Sequence, residues 1–392
     1  PLCPSSSNLS GETMKILVIP TTDWLRHPVP NRLNFIFDIL GERHEVFILH
    51  FGIGQFSHNP PRATICHLIE SGPIRVNDPS LFYLLNAPFH LATLIKTAKR
   101  EQIDVILSAN ILPSFLANLT GVPIVFDYLD HLEESASIYY PGSLKGSLVQ
   151  WFTRIITRFN LGHAASVITV TRDFEEYLRG IGLCDITVIP NGVDASILSP
   201  IPSDDAKRSL NLEEKRVIGY IGSLEHWVDL ETVIRALPHT DATLLVVGPG
   251  LFTDYGNLLK ELADTLGVAD RVIFTGAVKF QELNRYISAM DIGLNPLKPI
   301  EKNQRTIGGK VFNYLSCGIP VLSSRMAALE RFFGEVLYYY DDEESFARQV
   351  ALILGKPSEH ERYRTIARNY DWKVLSQRYE EVLQRARECR AQ

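Results

Sequence analysis

The sequence predicts an α/β protein built from two doubly wound parallel-sheet domains that face each other across a cleft. Three observations predict it. Short continuous apolar runs alternate with stretches of helical spacing along nearly the whole chain, as expected when strands are buried on both faces by flanking helices. The chain has 392 residues, more than one hydrophobic core usually covers. The alternation is also interrupted near residues 195–207 by a stretch rich in Pro, Ser and Asp, and then starts again.

The elements follow in order. Residues 1–13 (PLCPSSSNLSGET) are polar and turn-rich and are expected as a disordered leader. A first domain is expected over 14–194. KILVIP (15–20), HEVFILHF (44–51), DVILSAN (104–110), PIVFDYL (123–129), SVITVT (166–171) and the start of ITVIPNGVD (186–194) are its strands. NRLNFIFDIL (31–40), FHLATLIKTAKREQ (89–102), the stretch 147–165 and RDFEEYLRGIG (172–182) have helical spacing. ASILSPIPSDDAK (195–207) is expected as the linker. A second domain over 208–368 repeats the pattern with RVIGYIGS (216–223), ATLLVVGPG (242–250), RVIFTGAV (271–278), DIGLNPL (291–297), IPVLSS (319–324) and LYYYDD (337–342) as strands. Helical stretches lie between them, and Asp341–Glu344 suits a helix start. The segment 369–392 is an amphipathic helix expected to pack back on the first domain. The architecture is therefore two Rossmann-like domains in series. Ligands of such folds bind outside the C-terminal ends of the strands.

Composition narrows the class. The net charge is −6, so no whole-chain basic field points to nucleic acid. The five cysteines are scattered without a Cys-x-x-Cys pair, suggesting neither a zinc site nor a disulfide framework. No apolar run reaches the roughly 20 residues that a spanning helix needs. The expectation is a cytoplasmic protein, in one version held at the cytoplasmic face of a membrane.

GGKVFNYLSCGIPVLSS (308–324) carries the first chemical signal. A helix starting near Lys310 aims free N–H groups outward, Gly308 and Gly309 allow close approach to the backbone, and Lys310 adds a full charge. Together they describe an anion site of the phosphate or diphosphate kind. The alternative is a plain turn with a solvated lysine, and this segment alone leaves both open. IGYIGS (218–223) favours the anion site, because Gly222 follows a buried strand. VVGPG (246–250) places Gly248 similarly. Neither segment completes a GxGxxG turn, so a nicotinamide cofactor is poorly supported.

VIPNGVD (188–194), GYIGSLEHWVDLETVIRAL (219–237), VIFTGAVKFQELNRYISAMDIGLNPL (272–297) and the Gly308 segment together resemble retaining nucleotide-sugar glycosyltransferases of family 4, which have the GT-B fold. The resemblance is loose over the first half, at DYLDHLEES (127–135) and VITVTRDFEEYL (167–178). It implies transfer of a sugar, with retention, from a nucleoside-diphosphate sugar bound to the second domain. A UDP-sugar is expected first and a GDP-sugar second, with a saccharide or lipid-linked acceptor at the first domain and no metal or other cofactor. It further implies that Lys310, Gly308 and Gly309 hold the diphosphate, with Thr306 beside them and Gly222, Ser223 and Gly248 on the other side. Val278 would meet the base, and Asn313 the ribose or sugar. The family's two glutamates are replaced here by Arg305 and Asn313, and a downstream lysine is missing at EHWVD (225–229). Arg305 is expected to supply the missing cation. A nucleotide-binding subunit with little catalysis, or a GT-B-fold epimerase, stays open as an alternative.

In the first domain, Asp127, Asp130 and His131 follow the PIVF strand, where site residues belong, and the family often has a histidine near there. Asp130 and His131 join Lys310 and Arg305 as the candidate catalytic set. Asn191, in Asn-Gly, is expected as a turn lining the cleft. WFTRIITRF (151–159) could rest on an anionic membrane surface. The expected reading is a helix that buries its apolar face and solvates Arg154 and Arg158. FYLLNAPFHLATLI (82–95) is likewise expected in the core.

Overall fold

The computed structural model describes residues 12–76, 78–130, 140, 143–250 and 253–388. Contacts divide the chain into two units. The first is Pro1–Ile168, Leu183–Thr187 and Ser376–Gln392, and the second is Thr169–Gly182 with Val188–Leu375.

The first unit is built on β1 (Lys15–Ile19), β2 (Glu45–His50), β3 (His67–Glu70), β4 (Val105–Ser108), β5 (Ile124–Tyr128), β6 (Ser166–Thr169) and β7 (Ile186–Val188). Their order across the sheet is β3-β2-β1-β4-β5-β6-β7. β1 sits centrally, parallel to β2 and β4, with Leu17 opposite Phe47 and Ile106. Its residues Ile16 to Ile19 are fully buried, which is why the strand reads as an unbroken apolar run. Helix Arg32–Leu40 starts where Asn31 caps it, and Asn34 returns the bond to the Asn31 backbone.

Two expectations fail in this unit. The helix expected from Phe89 starts ten residues earlier, as Pro79–Glu101, with Asp78 as its cap and Pro79 in its first turn. Proline suits that position because the N–H it lacks would have no partner. The 82–95 stretch is not simply core either. Phe82 and Leu94 are buried, but Leu84, Leu85 and Phe89 are exposed. β3 went unforeseen.

The second unit holds β8 (Arg216–Ile221), β9 (Ala242–Val247), β10 (Val272–Gly276), β11 (Ile292–Asn295), β12 (Val321–Ser324) and β13 (Tyr338–Tyr340), ordered β10-β9-β8-β11-β12-β13. The pairs are parallel. Strand order reverses between β8 and β11, which makes their C-terminal ends the place for a ligand. The stretch expected as a linker, 195–207, carries Leu198 and Ala206, both fully buried in this unit's core. Ser316 Oγ donates to the Leu198 carbonyl at 2.7 Å. Helix Ser203–Ser209 occupies its end. In the first unit, Ser376 onward belongs to the helix Trp372–Glu388, and Tyr379 of that helix donates to Asp127 at 2.5 Å.

Candidate active site

The helix Gly309–Ser316 is anchored at the switch point by Tyr314. The Tyr314 ring lies over Gly293 of β11, where an added Cβ would stand 2.4 Å from it. Its hydroxyl accepts the Ile221 N–H at 2.9 Å and lies 3.1 Å from the Leu294 carbonyl. One helical turn earlier, Lys310 therefore arrives at the end of β8. Its ammonium sits 4.0 Å from the centre of the Tyr220 ring, and a Cβ on Gly222 would be 3.2 Å from it. Tyr220 is held in turn by donating to the Ser223 carbonyl at 2.7 Å.

Three glycines end the adjoining strands. The Gly222 N–H donates to the Val247 carbonyl at 2.9 Å and the Gly248 N–H to the Gly276 carbonyl at 3.0 Å. Gly222 has φ 140° and Gly248 φ 133°, both in the region that disfavours side chains. A Cβ on Gly248 would also stand 2.1 Å from the Gly222 oxygen. This close crossing keeps the strand ends bare of side chains.

Gly308 and Gly309 differ from these. Gly308 has an ordinary extended backbone, no side chain caps the helix, and a Cβ at either glycine would meet nothing within 4 Å. Neither conformation nor protein packing calls for glycine there. The uncapped N–H groups of the first turn face space that an anion can enter.

Lys310 is the electrostatic focus. Its side chain is half-buried. Enclosure of the ammonium pushes its pKa down to about 7. No carboxylate pairs with it among the described residues. A cation enclosed without a counter-ion is costly unless a ligand supplies one.

The remaining predicted residues fall into groups. Asn313 is half-buried on the same helix. Asn191 donates from Nδ2 to the Ile307 carbonyl at 2.9 Å, so it steadies the residue directly before Gly308. Thr306 and Ser223 are half-buried in the loops on either side. Val278 packs on the second unit's core just beyond β10. Arg305 is drawn elsewhere. Its guanidinium pairs with Glu301 at 3.1 Å and lies 5.1 Å from the Tyr177 ring, and Thr171 donates to its carbonyl at 2.8 Å. Among the described residues no contact joins it to Lys310.

In the first unit Asp130 is half-buried at the end of β5, and His131 lies outside the described residues. Asp127 is not a site residue of the kind expected. It is fully buried, with Arg32 Nε 3.8 Å away and the Tyr379 hydroxyl donating to it. Burial raises its pKa, against the opposing pull of Arg32 and Tyr379.

Sequence reasoning missed Tyr314, Gly276 and Glu225. A signal for Tyr314 existed, since the glycine inside DIGLN marks a close approach. Glu225 is fully buried, and Thr253 donates to it at 3.1 Å. Among the described residues no group of three His, Cys, Asp or Glu side chains converges as metal ligands. A cavity of about 590 Å³ opens at the N-terminal ends of β11, β12 and β13, beside Asp291, Pro320 and Tyr338, and none of the predicted site residues lines it.

The fold and this strand-end constellation define an α/β protein of two Rossmann-like, parallel-sheet domains of the GT-B type. Residues 215–356 match the description "Glycosyl transferases group 1", and residues 40–197 match "Glycosyltransferase Family 4". The chain belongs to the family 4 glycosyltransferases. It is 28% identical over 197 residues to TuaH of Bacillus subtilis, a glycosyltransferase provisionally named for teichuronic acid biosynthesis; the match covers 48% of each chain. The chain spans about half the length of the curated relatives it matches. Among solved structures, sucrose-phosphate synthase from Thermosynechococcus elongatus superposes with a TM-score of 0.74 at 17% identity, covering 94% of this chain and 98% of that one. Anabaena Alr3699/HepE, solved with UDP and glucose, gives 0.72 at 20% identity, covering 95% and 99%. These two likenesses establish the fold.

Proposed function

We propose that the protein is a retaining, metal-independent glycosyltransferase that moves a sugar from a nucleoside-diphosphate sugar to a saccharide or lipid-linked acceptor. One observation carries this reading. Among the described residues the enclosed Lys310 ammonium has no carboxylate partner, and it lies at an uncapped helix N-terminus beside Gly222. That arrangement suits a diphosphate.

The chemistry follows from charge. As the glycosidic bond to the donor phosphate breaks, negative charge grows on the departing diphosphate. Pre-placed N–H groups at Gly309 and Lys310 and the Lys310 ammonium meet that charge without reorganising, which lowers the barrier. These groups supply the positive field that a divalent cation would otherwise bring, which supports the metal-independent reading. Binding of a diphosphate also favours the charged lysine and so raises its pKa from about 7. Asn313, which can donate and accept, is the proposed contact to the ribose or sugar, and Val278 the proposed contact to the base. A UDP-sugar is the first donor to try, since HepE was solved with UDP-glucose, and a GDP-sugar is the second. Asp130 and His131 remain the proposed first-domain contacts to the sugar.

The test is turnover with a panel of UDP-, GDP- and ADP-sugars on saccharide and lipid-linked acceptors, reading both transferred sugar and released nucleotide. Transfer that keeps the anomeric configuration without added metal is the expected result. A folded protein that binds nucleotide but neither transfers nor hydrolyses any donor would instead make this chain a nucleotide-binding subunit.

A further inference from the structure

The cavity at the N-terminal ends of β11, β12 and β13 lies at the other end of the second sheet's strands from Lys310. Two loops, at 200–203 and 356–360, make its rim. Pro200, Pro202 and Pro357 stand in them, and proline fixes its own backbone angle, so the rim is set before any ligand arrives. The wall is largely apolar, with Ile201, Met290, Ile319, Ile353 and Leu354 in it. Met290 is held against β8, where a Cβ on Gly219 would stand 2.3 Å from its sulfur. The volume of about 590 Å³ falls among small-molecule sites, which run from about 300 to 1,000 Å³.

The charged side chains around this space are answered by the protein, save one. Asp291 pairs with Lys207 at 2.9 Å and accepts the Val217 N–H at 2.7 Å. Glu359 pairs with Arg362 at 2.7 Å, and Arg364 with Glu361 at 3.1 Å. His360 donates from Nδ1 to the Gly318 carbonyl at 2.7 Å. Lys356 is exposed on the rim and has no carboxylate partner among the described residues. Its ammonium lies 5.0 Å from the centre of the Tyr338 ring, which also lines the cavity. An unanswered cation beside an aromatic ring, over an apolar wall, suits a flat apolar molecule that ends in an anionic group.

We propose that this cavity is a second ligand site, which takes a small aromatic molecule bearing one carboxylate, with Lys356 as its counter-ion. The cavity shares no residue with the strand-end site at Lys310, so it stands or falls apart from the sugar-transfer reading.

Methyl NMR of the full chain, labelled with carbon-13 at the methionine methyls and titrated with 2-naphthoate, tests it. The chain has three methionines, and of these Met290 alone lines the cavity. The Met290 signal, assigned with Met290→Leu, shifts saturably, while those of Met14 and Met326 stay in place. The cationic counterpart 2-naphthylmethylamine does not move it. Lys356→Glu changes only an exposed side chain and weakens naphthoate binding on the order of tenfold. Lys310→Ala binds naphthoate as wild type does. A Met290 signal that millimolar 2-naphthoate leaves unmoved overturns the proposal. So does equal affinity in Lys356→Glu, or equal binding of the amine, because the cavity would then select no charge. Loss of binding in Lys310→Ala also overturns it, since the anion would then sit in the strand-end site.

Discussion

The C-terminal strand ends of the two sheets handle enclosed charge in opposite ways. At the end of β5, Asp127 is fully buried, but Arg32 and Tyr379 from two other segments of the first unit reach it. The negative charge is answered inside the protein, and the cluster ties the C-terminal helix to the sheet. At the end of β8, Lys310 is enclosed over Tyr220 and receives no carboxylate among the described residues. Its charge is left for something that arrives. Position in the fold is equivalent, so position alone does not mark a site. What distinguishes the two ends is whether the protein has already supplied the counter-charge.

The largest effect is expected at the closed end. Asp127→Ala leaves the buried Arg32 without its carboxylate, which costs about 3–5 kcal/mol of stability. Denaturant melts should show the loss, with activity falling only as the folded fraction falls. At the open end, Lys310→Ala should instead leave the fold intact and lower turnover by about 3 kcal/mol, or on the order of a hundredfold. If the two variants exchange behaviours, the contrast is broken.

Gly248→Ala comes next. Its Cβ would collide with the Gly222 carbonyl at 2.1 Å and its backbone holds a positive φ. A loss of about 1–3 kcal/mol is expected, read as weaker nucleotide binding together with a lowered melting temperature. Gly308→Ala sharpens the comparison, because its Cβ meets only open space. The melting temperature should hold while donor affinity falls. The smallest effect is Asn191→Ala, which removes one bond to the Ile307 carbonyl and should cost about 1 kcal/mol.

The alternation of strands and helices was legible because strands such as Lys15–Ile19 are buried on both faces and so lack polar interruptions. β3 was not, because HLIE is a short edge strand with exposed ends and no apolar run. Pro79, Asn86 and Pro88 hid the start of the long helix. Proline and asparagine read as breakers, although one proline occupies the first turn and Asn86 bonds inward. The helix Leu144–His163 teaches a further limit. Periodicity reveals that a helix has two faces but not which face the protein buries, and here Thr157 and Asn160 point in while Trp151 points out. At the candidate site, glycines and a lysine are visible as letters. The Tyr314 anchor that sets Lys310 over Tyr220 depends on a contact across the sheet with Gly293, which no local pattern contains.

Lys310 also gives pH a sign. Its folded pKa, about 7, lies below the 10.5 of an ordinary lysine. Below pH 7 the folded protein must enclose a charged ammonium, and that penalty is relieved as pH rises from 7 toward 10.5, where the unfolded chain still holds the proton. Lys310→Met should therefore melt higher than wild type in mild acid, with the gap closing in alkali. A bound diphosphate does the reverse and draws the proton back.

Titration calorimetry of UDP binding at about pH 8, repeated in buffers of different ionisation enthalpy, measures that proton directly. Wild type should take up most of one proton on binding, and a folded Lys310→Met should bind far more weakly with no uptake. Equal affinity and equal proton uptake in the two proteins would mean that the diphosphate does not sit against Lys310.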